Sequence, residues 1–238
     1  MDVTKEIKRL VAQQRRCLLC TTPSPGSALC TACNSELPRL SICCPRCALP
    51  LPQPAPLCGQ CSQRPPPVNR SFARYEYRSP IDYLINQYKE HNHQPIRKWW
   101  LAEVNAEADH LSQQWPDELP WTAITPVPLH WRKQWRRGFN QAYEISRVLA
   151  QRWALPIVTA KRRLAGVDQK QLNKREREQN LEQAFVCSQD LGGHNILIVD
   201  DVVTTGATVN TLAGQLLEAG ANTVDVFTLA RTPKPSDK

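Results

Sequence analysis

The sequence predicts an α/β protein, in which a parallel sheet with helices on both faces follows a small cysteine-rich module. Three observations support this prediction. Nine of the 10 cysteines lie before residue 68. Beyond that point, short apolar or alternating runs that suit strands take turns with runs of helical period, which is typical of parallel α/β sheets. One apolar run, 196–199, leads directly into two aspartates and a loop rich in threonine and glycine.

The cysteine-rich module contains four Cys-x-x-Cys pairs: Cys17/Cys20, Cys30/Cys33, Cys44/Cys47 and Cys58/Cys61. Two thiolates at this spacing can hold one tetrahedral ion from a tight turn, and two such turns complete four sulfur ligands. We expect two structural zinc ions, because so short and proline-rich a segment needs a metal in order to fold. The spacing suits neighbouring pairs in each site, but an interleaved arrangement fits the same residues.

The roles of the remaining two cysteines and the position where the module ends can be inferred from the neighbouring sequence. Disulfides would need an oxidising compartment, for which nothing in the sequence argues. Cys43 is an extra thiol, but the two-residue spacing to Cys47 favours Cys44 as the ligand. The isolated Cys187 is predicted to be a buried core thiol. Three stiff prolines at 65–67 predict a boundary between two domains, 1–67 and 68–238.

After the prolines, strands and helices are predicted in alternation. Alternating or continuous apolar runs rich in β-branched and aromatic residues predict strands at 71–77, 121–127, 155–159, 196–199 and 224–229. Apolar residues at helical spacing predict helices at about 80–88, 96–115, 139–153 and 207–219. A polar, basic loop is predicted from 161 to about 180.

The positive charge of the chain is concentrated in one stretch. The chain has 30 Lys+Arg and 22 Asp+Glu, a formal net charge of +8, and residues 130–180 alone hold 13 basic and 4 acidic residues. Such a stretch is either a solvated face or a surface for phosphates or nucleic acid. No apolar run approaches the roughly 20 residues of a membrane helix, and the first residues lack the apolar core of a signal peptide. We therefore expect a cytoplasmic protein without membrane insertion.

The sharpest functional signal is the pair Asp200 and Asp201 with the loop that follows it. Open α/β sheets bind ligands at the carboxyl ends of their strands. A threonine- and glycine-rich loop that opens a helix directs N–H groups and hydroxyls at a phosphate. The paired carboxylates can accept hydrogen bonds from two vicinal sugar hydroxyls, so the segment predicts a ribose 5-phosphate site. The loop residues are Thr204, Thr205, Gly206, Ala207 and Thr208. The plainer alternative is a capped helix with two solvated acids.

This segment resembles the signature of type I phosphoribosyltransferases, which bind 5-phosphoribosyl 1-pyrophosphate (PRPP) with Mg²⁺. The resemblance implies that Asp200 and Asp201 bind the ribose hydroxyls, and that residues 204–208 bind the 5-phosphate. It also implies that the cysteine-rich module precedes a phosphoribosyltransferase-like fold.

Two other segments are similar to parts of that fold. Residues 126–142, with Arg137 and Gly138 in a basic turn, match the place where the fold holds pyrophosphate, and a guanidinium suits bidentate binding of phosphate. Residues 161–180 resemble the mobile loop that closes over the reaction centre, although a solvated loop fits them equally well. Lys89 could reach the phosphates, but we expect it to be a surface lysine.

In chain order, the cysteine pairs, Trp-Arg-Arg-Gly-Phe-Asn-Gln-Ala at 135–142 and Val-Asp-Asp-Val-Val-Thr-Thr-Gly-Ala-Thr at 199–208 resemble the ComF family of competence-associated proteins. The resemblance implies a role in natural transformation, namely the handling of incoming single-stranded DNA together with proteins of DNA uptake. The alternative is an active transferase that moves phosphoribosyl from PRPP to an unidentified nucleobase or nucleotide. Its catalytic residues would be Arg137, Asp200 and Asp201.

Single-stranded DNA also suits the basic stretch physically. Tryptophans that alternate with basic residues offer stacking faces between phosphate-binding charges. The candidates are Trp131, Arg132, Lys133, Trp135 and Arg136. Packing of one or both tryptophans in the core is the alternative.

Overall fold

Four strands form one sheet in the part of the chain that the structure, a computed structural model, describes: residues 16–91, 94–129, 131–162, 185–187 and 189–234. The strands are β1 (Ser71–Glu76), β2 (Ala123–Pro126), β5 (Asn195–Val203) and β6 (Thr223–Arg231). Their order is β1–β6–β5–β2, and every neighbouring pair is parallel. The predicted parallel sheet is therefore confirmed. A separate antiparallel ladder pairs β3 (Lys161–Arg162) with β4 (Phe185–Val186).

Helices of two sizes accompany these strands. The cysteine-rich module contains two single-turn helices, α1 (Thr31–Ser35) and α2 (Gly59–Gln63). The helices beside the sheet are α3 (Ile81–His91), α4 (Gln94–Gln114), α5 (Trp131–Arg137), α6 (Gln141–Trp153) and α7 (Ala207–Glu218). No helix in the described ranges is both long and apolar enough to cross a membrane.

The central strand β5 packs against helices on both of its faces. Leu197 and Val199 belong to a core cluster that includes Ile145 and Leu149 of α6. The alternate residues Ile196 and Ile198 belong to a second cluster that includes Leu212 and Leu216 of α7. This alternation follows from the two-residue period of a strand. A strand that is buried on both faces reads as the continuous apolar run seen at 196–199.

Three predicted elements differ from the structure. Residues 155–159 form a single bridge, Ile157 to Ile124, because Pro156 has no N–H to extend a ladder. The predicted basic turn before Gly138 is the helix α5, since residues 131–137 contain no glycine or proline to prevent it. The strand β5 continues through both aspartates to Val203, because β6 stays paired with it as far as Arg231.

The cysteine-rich module lies against the outer edge of β1. The Leu40 amide donates to the Arg74 carbonyl, and the Glu76 amide donates to the Pro38 carbonyl, both at 2.9 Å. At the start of the strand, the Ser71 amide donates to the Pro45 carbonyl at 2.9 Å. The module therefore covers an edge strand whose backbone groups would otherwise be unpaired. The domain boundary at residue 67 stays a prediction.

Candidate functional site

The cysteines of the module form two clusters. In the first cluster, the Sγ atoms of Cys17, Cys20, Cys30 and Cys33 all lie within 4.8 Å of one another. The second cluster has the same geometry and consists of Cys44, Cys47, Cys58 and Cys61. Each cluster joins two pairs that are neighbours in sequence, so the interleaved alternative is excluded. Cys44 rather than Cys43 belongs to the second cluster, as the spacing predicted.

The geometry of both clusters suits zinc. The Sγ atoms of Cys20 and Cys30 are 3.6 Å apart, and those of Cys47 and Cys58 are 3.7 Å apart. A tetrahedron with Zn–S bonds of about 2.3 Å has edges of about 3.8 Å. A disulfide would instead require about 2.05 Å. The two clusters therefore suit two structural zinc ions.

Backbone amides favour the thiolate form of one of the ligands, Cys44. Burial raises the pKa of Cys44, but amide donors from Cys58, Cys47 and Arg46 outweigh it and lower that pKa to about 7. A lowered pKa makes the thiolate, which is the form that binds metal, more abundant at neutral pH. Outside the clusters, Cys187 is only partly buried, because it lies near a turn and packs against the edge of the core cluster around α7.

The two aspartates of β5 lie in the wall of a cavity of about 190 Å³ at the carboxyl end of the sheet. Asp200 and Asp201 contribute carboxylates, and residues after β2 and at the start of α6 form the facing wall. The lining residues are Lys89, Val127, Pro128, Leu129, Arg137, Asn140, Gln141, Ala142, Asp200, Asp201 and Thr208. The segments 126–142 and 199–208, which are far apart in sequence, thus meet in one cavity.

The two carboxylates differ in their electrostatic surroundings. Desolvation, and then the charge of Asp201, raise the pKa of Asp200. The carboxylate of Asp201 accepts a hydrogen bond from the Lys89 ammonium at 3.0 Å, and the Lys89 side chain is only 17% exposed. The Lys89 ammonium therefore lies directly against Asp201, whereas the surroundings of Asp200 disfavour its charged form.

The loop after β5 forms a small pocket of about 30 Å³ beside the larger cavity. Thr204, Gly206, Ala207 and Thr208 line it, together with Asp200. Gly206 has a positive φ of 84°, and it begins α7 without a side-chain cap. The amides that follow Ala207 in the first turn of α7 are thus available to an anionic ligand, where the helix dipole favours negative charge. Asp200 and Thr208 line both pockets, so the two pockets are adjacent.

Not all of the other predicted site residues line one of the two pockets. The Thr205 hydroxyl accepts a hydrogen bond from the Ala207 amide at 3.3 Å, and Thr205 does not line the small pocket. Arg137 lines the larger cavity, but Gly138 does not. Gly138 has a φ of 76° and supplies the turn between α5 and α6. Of the predicted closing loop 161–180, residues 161–162 form β3, and residues 163–180 lie outside the described residues.

Two cavity residues were missed by the sequence analysis. Lys89 was considered as a residue that could reach the phosphates but was expected at the surface, whereas it points from α3 to Asp201. The hydroxyl of its neighbour Tyr88 donates to Glu144 of α6 at 2.8 Å, which holds α3 beside the cavity. The helical period predicts that Tyr88 is buried, but it does not predict which group the side chain of Lys89 contacts.

Gln141 is the second missed residue. Its side chain is 1% exposed and lines the cavity, and its Nε2 has no hydrogen-bond partner among the described residues. In contrast, both polar side-chain atoms of the preceding Asn140 have partners. Its Oδ1 accepts a hydrogen bond from the Ala142 amide, and its Nδ2 donates to the Val127 carbonyl. The sequence contains one feature that could have indicated the position of Gln141. Asn140 is a typical helix cap, and a cap at this position places the next residue in the first turn of the helix.

The candidate DNA-binding residues lie on α5. Trp135 is 87% exposed and is not packed in the core, and Arg136 is exposed beside it. The backbone of Trp131, Arg132 and Lys133 is part of the same helix, but their side chains lie outside the described part of the chain.

Comparisons with known proteins agree with this two-part organisation. The family model of the phosphoribosyl transferase domain matches residues 135–238, and that of the double zinc ribbon domain matches residues 11–62. These matches cover the cavity segments after α5 and both cysteine clusters.

Relatives extend over nearly the whole chain. The DNA utilization protein YhgH of Salmonella typhimurium is 36% identical over 226 residues, which are 91% of this chain and 96% of the relative. Competence protein F of Haemophilus influenzae is 32% identical over 86% of this chain and 91% of its own. Competence protein ComFC of Bacillus subtilis is 27% identical over 87% and 86%, respectively. The chain therefore belongs to the ComF family, with a double zinc ribbon ahead of a phosphoribosyltransferase domain.

Proposed function

We propose that the chain binds PRPP or a closely related ribose phosphate, and that it uses this site in the handling of single-stranded DNA. The observation that carries the proposal is the convergence of Asp200, Asp201 and Arg137 on one cavity, with the loop 204–208 adjoining it. The loop amides would hold the 5-phosphate, and the two carboxylates would accept hydrogen bonds from the ribose hydroxyls. Arg137 and the Nε2 of Gln141 would donate to pyrophosphate oxygens.

Mg²⁺ would accompany PRPP in this site. Mg²⁺ is usually held by one or two carboxylates together with substrate phosphates rather than by a cage of protein ligands. Asp200 and Asp201 offer such carboxylates, and no larger acidic cluster occurs among the described residues. The ion would neutralise pyrophosphate charge, while Lys89 remains a fixed positive charge beside Asp201.

The DNA part of the proposal is supported by the relatives and by one surface. Two relatives are named competence proteins and one is named a DNA utilization protein, so we propose a cytoplasmic role in competence, in contact with proteins of DNA uptake. Trp135 and Arg136 offer a stacking face and a charge on the exposed α5.

Phosphoribosyl transfer is the second candidate function. It is favoured by Arg137 and Gln141, because donors that hold the pyrophosphate of PRPP could also stabilise it as a leaving group. Asp200 and Asp201 would fix the ribose while positive charge develops at its anomeric carbon. The acceptor would be a nucleobase or nucleotide.

Calorimetric titration with PRPP and Mg²⁺ tests the binding site. We expect the wild-type chain to bind, the double variant Asp200→Asn/Asp201→Asn to lose binding, and Gln141→Leu to weaken binding roughly tenfold through loss of one hydrogen bond to a charged group. Gln151→Leu, at an exposed position of α6, is the matched control. Undiminished binding by the double variant would refute the site. Release of pyrophosphate in the presence of nucleobases, nucleotides or DNA would favour transfer over binding alone.

A further inference from the structure

One buried side chain, Arg231 at the end of β6, contacts two distant parts of the protein. It contacts the second cysteine cluster and the start of the loop 204–208 (the phosphate loop). Its Nε donates to the Cys47 carbonyl at 2.9 Å. Its Nη1 donates to the Thr204 carbonyl, and also to the carbonyls of Val203 at 3.2 Å and Thr232 at 3.0 Å. The residue is 5% exposed. A single guanidinium therefore bridges a metal-ligand turn and the loop that lines the small pocket.

The charge of Arg231 needs compensation at this depth. A buried charge is costly unless it is paired, and no carboxylate in the described part of the chain forms an ion pair with this guanidinium. Four thiolates around one Zn²⁺ leave a net negative charge on the second cluster. The cluster that supplies the Cys47 carbonyl thus also supplies the compensating negative charge, provided that it holds its metal.

The first cluster has no such link. Its side of the module is joined to the sheet through Arg39, which donates to the Asn34 carbonyl and to the Tyr75 hydroxyl. None of the hydrogen bonds described for this cluster reaches residues 203–208. The two clusters therefore differ in their connection to the phosphate loop, although their ligand sets are alike.

We propose that Arg231 is a positioning residue that makes the conformation of the phosphate loop depend on the metal-loaded second cluster. The proposal concerns the same site as the proposed function, and its consequence for PRPP rests on that function. Zinc in the second cluster fixes the turn of Cys47, this turn orients the guanidinium, and the guanidinium holds the carbonyls of Val203 and Thr204. The amides of the loop that face the ligand are thereby preorganised.

Hydrogen–deuterium exchange of the zinc-loaded full chain tests this dependence without any ligand. We compare Cys61→Ser in the second cluster with Cys33→Ser in the first, because each cysteine is the second member of a Cys-x-x-Cys pair whose first member begins a short helix. We expect exchange of the amides at 203–208 to rise at least several-fold in Cys61→Ser and to stay unchanged in Cys33→Ser. Equal exchange in the two variants would overturn the proposal.

Variants of Arg231 keep the test decisive if a cysteine variant does not fold. Arg231→Gln removes the charge, and Arg231→Lys keeps it but cannot reach Cys47 and Thr204 together. We expect both to raise exchange at 203–208 while leaving exchange in β1 and α4 unchanged, and to weaken PRPP binding about tenfold. Unchanged loop exchange, or an equal rise throughout the protein, would refute a positioning role. Raised loop exchange in a chain that never binds PRPP would support the link and refute the proposed function.

Discussion

At the scale of single residues, Asp200 is a carboxyl whose surroundings disfavour its charge. Desolvation and the neighbouring Asp201 raise its pKa, and Lys89 opposes them only in part. In the folded protein this carboxyl therefore holds its proton more tightly than in the unfolded chain. The free energy of unfolding must then fall as the pH rises from the ordinary carboxyl pKa of about 3.9 through the raised value.

We expect Asp200→Asn to stabilise the unliganded protein more at pH 8 than at pH 5, because the amide carries no charge to desolvate. A gain of about 1 kcal/mol would raise Tm by about 2–4 °C. Thermal unfolding followed by circular dichroism at both pH values measures the difference. Asp117→Asn, at an exposed position, is the control. An equal change in Tm at the two pH values would contradict the expectation.

The residues of the cavity were predictable to different degrees. Asp200 and Asp201 were identified because their chemistry and their neighbours in sequence are sufficient to suggest a role. Lys89 and Gln141 were not, because each is one polar residue in an amphipathic helix. Their importance comes from the Asp201 carboxylate and the cavity wall, which the local pattern does not contain.

At the scale of elements, α5 is the part of the chain that the sequence analysis described least well. Its composition indicated a basic turn, whereas the structure has a helix whose Trp135 is almost fully exposed. The exposed indole ring is accessible for stacking on a nucleic-acid base. The exposure removes one alternative, the burial of Trp135 in the core.

We expect Trp135→Ala to weaken binding of an oligothymidylate by about 1–3 kcal/mol, the usual range for one base stacked on an aromatic ring. Arg136→Ala should reduce the slope of log affinity against log salt by about 0.7, the value for one phosphate contact on a single strand. Fluorescence anisotropy at several salt concentrations measures both effects.

Tyr83→Ala provides the matched control for this experiment, because Tyr83 is an exposed aromatic residue on α3. It should leave the affinity for the oligonucleotide unchanged. If Trp135→Ala and Arg136→Ala also leave affinity and salt slope unchanged, the DNA surface lies elsewhere on the protein.

At the scale of the whole molecule, the zinc ribbon and the sheet support each other. Backbone hydrogen bonds join the module to β1, and Arg231 joins it to the end of β6. Loss of metal should therefore affect more than the module, since the module covers one edge of the sheet. Loss of metal from a separate, flexibly linked module would not affect the sheet.

We expect elemental analysis to find two zinc ions per chain, and removal of zinc by a chelator to lower Tm by at least about 5 °C. Cys61→Ser should retain one zinc ion, because only the second cluster loses a ligand. Cys43→Ser is the matched control: its thiol is next to Cys44 but outside both clusters, so this variant should retain two. Purified, reduced protein without zinc would contradict the metal assignment.

The sequence by itself determined the cysteine ligands, the four strands of the parallel sheet with the four longer helices beside them, and the aspartate pair with its loop. These are local features, because spacing, periodicity and neighbouring residue types carry them. Only the tertiary structure decided how the cysteine pairs combine, that Lys89 reaches Asp201, and that Arg231 joins Cys47 to Thr204. Cys47 and Arg231 are 184 residues apart, and such a contact exists only once the sheet has brought the two segments together.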